Sequence, residues 1–193
     1  MKSKLPSLSL FENTDKREIG CRSLLIVGAG TYAQVAFEIA EQMGVYERIS
    51  FVDDCRKETA NGKTVIGTTS DLKDLASKYS DAIVAIGNAE VRFSMLQKIE
   101  GETSLKLATL ISPQAFVSPT AHILPGCIIE PMAVIHTGCK IKRGCYISAG
   151  AVVNHESICE EVVHIDCNAT VEGYCTVLKK TKVCAGEVYR KKA

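Results

Sequence analysis

"MAVIHTGCKIKRGCYISAGAVV", residues 132–153, returns a β-branched side chain at Ile135, Ile141, Ile147 and Val153, every sixth residue. Two places before each stands a small residue, Ala133, Cys139, Cys145 and Ala151, and Gly138, Gly144 and Gly150 precede three of these. Outward in both directions the column runs through Val117, Ile123, Ile129, Ile135, Ile141, Ile147, Val153, Cys159, Ile165, Val171, Val177 and Val183, eleven of the twelve being Ile or Val. Six is even, so strands of period two return the same face inward at every repeat. The pattern predicts a β-solenoid in which the branched residue fills the interior and each repeat buries its face by stacking on its neighbours. An ordinary antiparallel sheet would alternate between turns of irregular spacing instead.

Upstream the period changes. "LLIVGAG" is a short apolar run ending in glycines, and "TYAQVAFEIAEQMG" after it has helical spacing. "ISFVDD" and "DAIVAIGN" read as buried strands, "EVRFSMLQKIE" as a helix, and "TVIGTTSDLKDLASKY" as a strand edge followed by a helix capped by Ser70. Strands alternating with helices predict βαβ units on a parallel sheet. The division expected is a polar tail over 1–22, a Rossmann-like domain over 23–107, a linker over 108–116 and the solenoid over 117–193.

A net charge of +1 with mixed signs provides no basic face for nucleic acid. No apolar run is long enough for a membrane span, and no signal-peptide core is visible, so a cytoplasmic protein acting on small molecules is expected. The nine cysteines include no C-x-x-C pair. They read as free thiols, five of them filling the repeat as small apolar residues. The histidines have no metal-site spacing, so no metal is expected.

Together these segments resemble a known family. "VGAG", "FVDD", "VAIGNAEVR", "LISPQAFVSPTAHI" and "AGAVVNHES" with "VVHID" beyond it are similar to bacterial sugar O- and N-acetyltransferases, of the kinds that modify sialic acid or a UDP-linked 4-amino-sugar. The resemblance covers residues 23–188 and implies a left-handed parallel β-helix with three hexads per coil, acting as a homotrimer. It implies acetyl-CoA as co-substrate and a nucleotide-activated sugar as acceptor. By the resemblance His155 is the general base, with Glu156 raising its basicity. His164 contacts acetyl-CoA, and the Gly173 N–H faces the developing oxyanion. Gly30, Thr31 and Tyr32, then Asp53 and Asp54, then Gly87 with Asn88 beside it, would line the sugar pocket.

The chemistry suits these types: acyl transfer from a thioester needs a proton acceptor titrating near neutrality, and a carboxylate beside it favours the imidazolium. On the residues alone, His155–Glu156 reads equally as a surface histidine beside a solvated acid, and Gly173 as a corner glycine. Gly28-x-Gly30-x-x-Ala33 between strand and helix aims N–H groups at an anion, and its form also fits a nicotinamide dinucleotide. Two departures from the family stand out. Tyr32 replaces a histidine, and the helix stops at "CAGEVYRKKA" without a "G-V-P-A" segment, which leaves open a sugar-binding or assembly module without coenzyme.

Overall fold

The structure is a computed structural model that describes residues 22–59 and 61–190; most of the expected tail, Cys21 and the basic end at 191–193 lie outside these residues. A parallel sheet comes first. Its strands β1 (Ser23–Val27), β2 (Arg48–Val52), β3 (Val65–Gly67), β4 (Asp81–Val84) and β5 (Lys106–Leu107) lie in the order β3-β2-β1-β4-β5. Helices α1 (Thr31–Met43) and α3 (Ala89–Glu102) and the single turn α2 (Leu72–Leu75) connect them. The expected cap at Ser70 is replaced by Thr68, which forms a reciprocal capping box with Asp71 at the preceding 3-10 turn (Thr69–Asp71). The order of strand addition reverses between the parallel strands β1 and β4, whose carboxyl ends open a crevice of the kind that binds ligands in parallel sheets.

Fourteen two-residue strands follow, β6 (Leu110–Ile111), β7 (Phe116–Val117), β8 (His122–Ile123), β9 (Ile128–Ile129), β10 (Val134–Ile135), β11 (Lys140–Ile141), β12 (Tyr146–Ile147), β13 (Val152–Val153), β14 (Ile158–Cys159), β15 (His164–Ile165), β16 (Thr170–Val171), β17 (Thr176–Val177), β18 (Lys182–Val183) and β19 (Val188–Tyr189). They stack as three parallel sheets, β18-β15-β12-β9-β6, β19-β16-β13-β10-β7 and β17-β14-β11-β8. The twelve hexads therefore understate the ladder. Residues 108–116, read as a linker, contain β6, which pairs with β9 in register.

Every branched hexad residue from Ile129 to Val183 is buried inside the prism, each contributing roughly 1.5–3 kcal/mol of apolar burial. The corners have their own period. Residues 126, 132, 138, 144, 150, 156, 162, 168, 174, 180 and 186 all have φ between 53° and 83°. Only five are glycine; Met132, Glu156, Val162, Asn168, Tyr174 and Lys180 hold a left-handed backbone that costs a side-chain-bearing residue about 1–2 kcal/mol. Packing sustains the β-branched Val162, which is fully buried with Leu96 and Leu105.

The sheet containing β6 is covered by the first domain, and one apolar cluster joins Leu110, Ile128 and Tyr146 to Leu24, Ile26 and Phe37. The face of β19-β16-β13-β10-β7 is different. Its outward column is Phe116, Val134, Val152, Thr170 and Val188, apolar but for one threonine, with Phe116 and Val188 exposed. No helix among the described residues is long and apolar enough to cross a membrane.

Candidate active site

The glycine turn and the first-domain acids are held together by backbone donors. Gly28 has φ 114°, and a Cβ there would stand 2.9 Å from the Ala85 carbonyl oxygen, so only glycine lets β1 leave the sheet so close to β4. Asp53 accepts N–H bonds from Ala29 at 2.8 Å, Cys55 at 2.9 Å and Arg56 at 2.8 Å. Although its partial burial acts the other way, these bonds hold the carboxyl below its ordinary range. Asp54 accepts from the Thr69 N–H at 2.7 Å and hydroxyl at 2.9 Å. The Asn88 side-chain oxygen caps α3, accepting from Glu90 at 3.0 Å and Val91 at 3.1 Å. Within the chain, Asp53, Asp54 and Asn88 thus shape the crevice loops.

Tyr32, in the first turn of α1, leans out of the crevice toward the β-helix. Its hydroxyl lies 2.9 Å from Nε2 of His164, which is also 3.1 Å from the Ser148 hydroxyl. A Cβ on Gly87 would meet the Tyr32 ring at 3.3 Å, so Gly87 gives that ring its place. Burial pushes His164 down to about 4, and the ring is neutral at pH 7. Glu130, Ser148 and Asp166 occupy one corner position in successive coils, each at the end of a strand of the covered sheet. Asp166 is paired with Lys182 at 2.8 Å, which holds its carboxyl low. The sequence placed His164 with acetyl-CoA and Tyr32 with the sugar; the structure brings the two side chains into one crevice.

Arg92 and Tyr146 join the crevice to the prism. The buried Arg92 guanidinium donates to the carbonyls of Ile86 (2.9 Å), Gly87 (3.0 Å), Gly144 (3.0 Å) and Val162 (2.8 Å), and lies 4.1 Å over the Tyr146 ring. The Tyr146 hydroxyl donates to the Val84 carbonyl and accepts from the Ile86 N–H at 3.1 Å. A buried arginine in an amphipathic helix carried no periodic signal, and only its apolar surroundings in "EVRFSML" hinted at it.

His155 lies at the next edge of the prism, in the turn between β13 and β14. Its backbone N–H and its ring Nδ1 both lie 2.8 Å from Oδ1 of Asn154. A backbone N–H can only donate, so the shared atom is an acceptor and Nδ1 carries the ring hydrogen. The lone pair is on Nε2. A Cβ on Gly173 would come within 2.8 Å of that nitrogen and of Cε1, so the missing side chain makes room for the ring. The Gly173 N–H donates to no group among the described residues. His136 and Tyr174 meet the His155 ring edge-on, with centroids 6.2 Å and 5.0 Å away.

Glu156 is arranged otherwise than its place in the chain suggests. With φ 55°, it directs its carboxylate against Gly138 on the preceding coil, where a Cβ would stand 2.2 Å from Oε1. Among the described residues no hydrogen bond joins it to His155; Asn154 orients the ring instead. The one available signal was an amide immediately before the histidine.

Residues 23–99 match the family model for the PglD N-terminal domain, and 120–155 that for the bacterial transferase hexapeptide (six repeats). The acetyltransferase domain of PglB from Neisseria gonorrhoeae is 33% identical with a TM-score of 0.84, the match covering 88% of this chain and 83% of that one. The same domain in complex with acetyl coenzyme A matches at 33% identity and TM-score 0.83, covering 89% and 83%. A variant of GDP-perosamine N-acetyl transferase from Caulobacter crescentus, in complex with CoA and GDP-perosamine, shares the fold at 23% identity and TM-score 0.65, covering 88% and 89%. No curated protein matches in sequence.

Proposed function

Because the chain belongs to the hexapeptide-repeat sugar acetyltransferases, left-handed parallel β-helices behind a PglD-type N-terminal domain, we propose that it moves acetyl from acetyl-CoA directly onto a nucleotide-linked sugar, with His155 as general base. The observation that carries this is the convergence of two donors on Asn154 Oδ1, which leaves the His155 Nε2 lone pair over Gly173. Nε2 takes the proton from the sugar nitrogen or oxygen as its bond to the acetyl carbon forms. The C–S bond then breaks, and the proton passes to the departing thiolate. The free Gly173 N–H suits the oxyanion that develops in between. Glu156, turned onto Gly138, leaves the positioning of the ring to Asn154.

An acyl-enzyme has little support. Burial pushes the thiols of Cys145 and Cys159 far above their usual range, away from the thiolate a nucleophile needs. In this reading residues 23–107 hold the sugar nucleotide, its diphosphate at the α1 N-terminus near Gly30 and Thr31, and the β-helix carries the transfer chemistry. Tyr32, Gly87 and His164 border the sugar.

The homotrimer belongs to the same reading. The apolar column Phe116, Val134, Val152 and Val188 lies on the sheet between the crevice corner and the His155 turn, so a second copy seated there brings one copy's base to the next copy's crevice. Val152→Glu buries a charge in that contact and is expected to give monomers by analytical ultracentrifugation and to lose most activity. A trimeric, fully active V152E protein would place the interface elsewhere.

The function itself is tested by release of CoA thiol in the presence of UDP- and GDP-linked 4-amino-4,6-dideoxyhexoses and their 4-hydroxy counterparts. Acetylation of at least one is expected. Acetyl-CoA binding without transfer to any sugar of the panel sinks the reading.

A further inference from the structure

We propose that Glu130 recognises the amino nitrogen of the acceptor and so makes this chain select amino-sugars over hydroxy-sugars. The inference rests on the sugar-acetyltransferase reading above and narrows its substrate class. Glu130 is only 8% exposed, at the end of β9 on the crevice side of the prism. One carboxylate oxygen accepts the Ala149 N–H at 3.1 Å, yet among the described residues no lysine, arginine or histidine pairs with it. The groups that face it are the Ser148 hydroxyl, Asp166 and Cys167, with the Tyr32 phenol close enough to feel its charge. None of these is a cation.

The charge of the crevice is therefore unbalanced. Lys182 is committed to Asp166, and His164 is neutral. On the β-helix wall of the crevice, opposite the loops of Asp53 and Asp54, what remains is the negative charge of Glu130, largely withdrawn from water. Burying a carboxylate without a cation is costly, and burial alone pushes this one upward. A sugar amine, which binds as the ammonium and gives up one proton to solvent before its lone pair attacks, supplies the missing partner, and a hydroxyl does not. The location also suits a sugar rather than its diphosphate: the phosphate-seeking N-terminus of α1 is at the strand end of the first domain, and Glu130 is on the β-helix that Tyr32 reaches across to touch.

The test uses the full chain with a UDP-linked and a GDP-linked 4-amino-4,6-dideoxyhexose, each beside its 4-hydroxy counterpart. In Glu130→Gln the amide oxygen still accepts the Ala149 N–H, so the turn is preserved while the charge is removed. KM for the accepted amino probe is expected to rise about 10- to 100-fold, the scale of one charge-assisted hydrogen bond, with kcat changed far less. KM for acetyl-CoA and the melting temperature stay near wild type, and Glu130→Asp recovers part of the loss. An unchanged KM in a folded Gln variant overturns the proposal, as does an equal loss for amino and hydroxy probes, which a merely structural residue would produce. Independently of any variant, wild-type protein should bind the accepted amino probe at least about tenfold more tightly than its hydroxy counterpart in calorimetry; equal affinities overturn the proposal too. If wild type acetylates the amino probe while the Gln variant behaves as wild type, only Glu130 is displaced. If wild type acetylates no probe, the underlying reading falls and takes this one with it.

Discussion

Replacing His155 with alanine is expected to lower kcat by about 100- to 10,000-fold, the usual contribution of a positioned general base. The geometry limits what else the substitution can do. The ring is half-buried, its Nδ1 is held by Asn154, and its neighbours His136 and Tyr174 touch it only edge-on. Its removal should cost no more than about 1 kcal/mol of stability, the scale of such aromatic contacts. KM for both substrates should therefore change little, and the oligomeric state should match that of wild type. Steady-state kinetics with CoA thiol release, beside a thermal melt, checks both halves. Turnover within about tenfold of wild type would move the base to another residue. A collapse in melting temperature would instead make His155 a packing residue.

The largest loss of stability should come from Arg92→Ala. Four carbonyls, from Ile86, Gly87, Gly144 and Val162, depend on this guanidinium, and the Tyr146 ring lies beneath it. Alanine leaves those acceptors without their donor in a fully buried site and opens a cavity between the first domain and the prism. Buried groups left unpaired cost about 1–3 kcal/mol each before any relaxation, so a net loss of about 3–5 kcal/mol is expected. For a chain of this size that is roughly a 10–15 °C fall in melting temperature. Arg92→Lys should rescue little, because one ammonium cannot reproduce a planar fork serving both domains. Sugar binding should weaken further than acetyl-CoA binding, since the Ile86–Gly87 loop borders the crevice. Calorimetric melting checks the prediction, and a melting point within about 2 °C of wild type would show the staple to be dispensable.

The crevice and the proposed base were legible in different ways. The glycine turn announced itself because a strand leaving a parallel sheet at its switch point needs Gly28 against Ala85. His155 stood out through the family resemblance of its motif, since on the residues alone it read equally as a surface histidine beside a solvated acid. Its partner was not, because chain adjacency suggested Glu156, and a left-handed φ at that corner turns the carboxylate down the prism onto Gly138. Six of the eleven left-handed corners carry side chains, so a search for glycine alone found fewer than half of them. The ladder likewise runs past both ends of the hexad column, to Leu110–Ile111 and Val188–Tyr189, where pairing with β9 and β16 completes the coils.

By itself the sequence determined the period of the β-helix, its interior, and the parallel βαβ character of the first domain, since each follows from which face a residue presents within a few neighbours. The tertiary structure alone decided how the two halves meet. Tyr32 reaches His164 across 132 residues, Arg92 reaches Gly144 and Val162 across 52 and 70, and Tyr146 reaches Val84 across 62. These are single polar contacts between side chains or carbonyls that no repeat encodes, and they form only because burying the covered sheet against the first domain removes the water that would otherwise satisfy them.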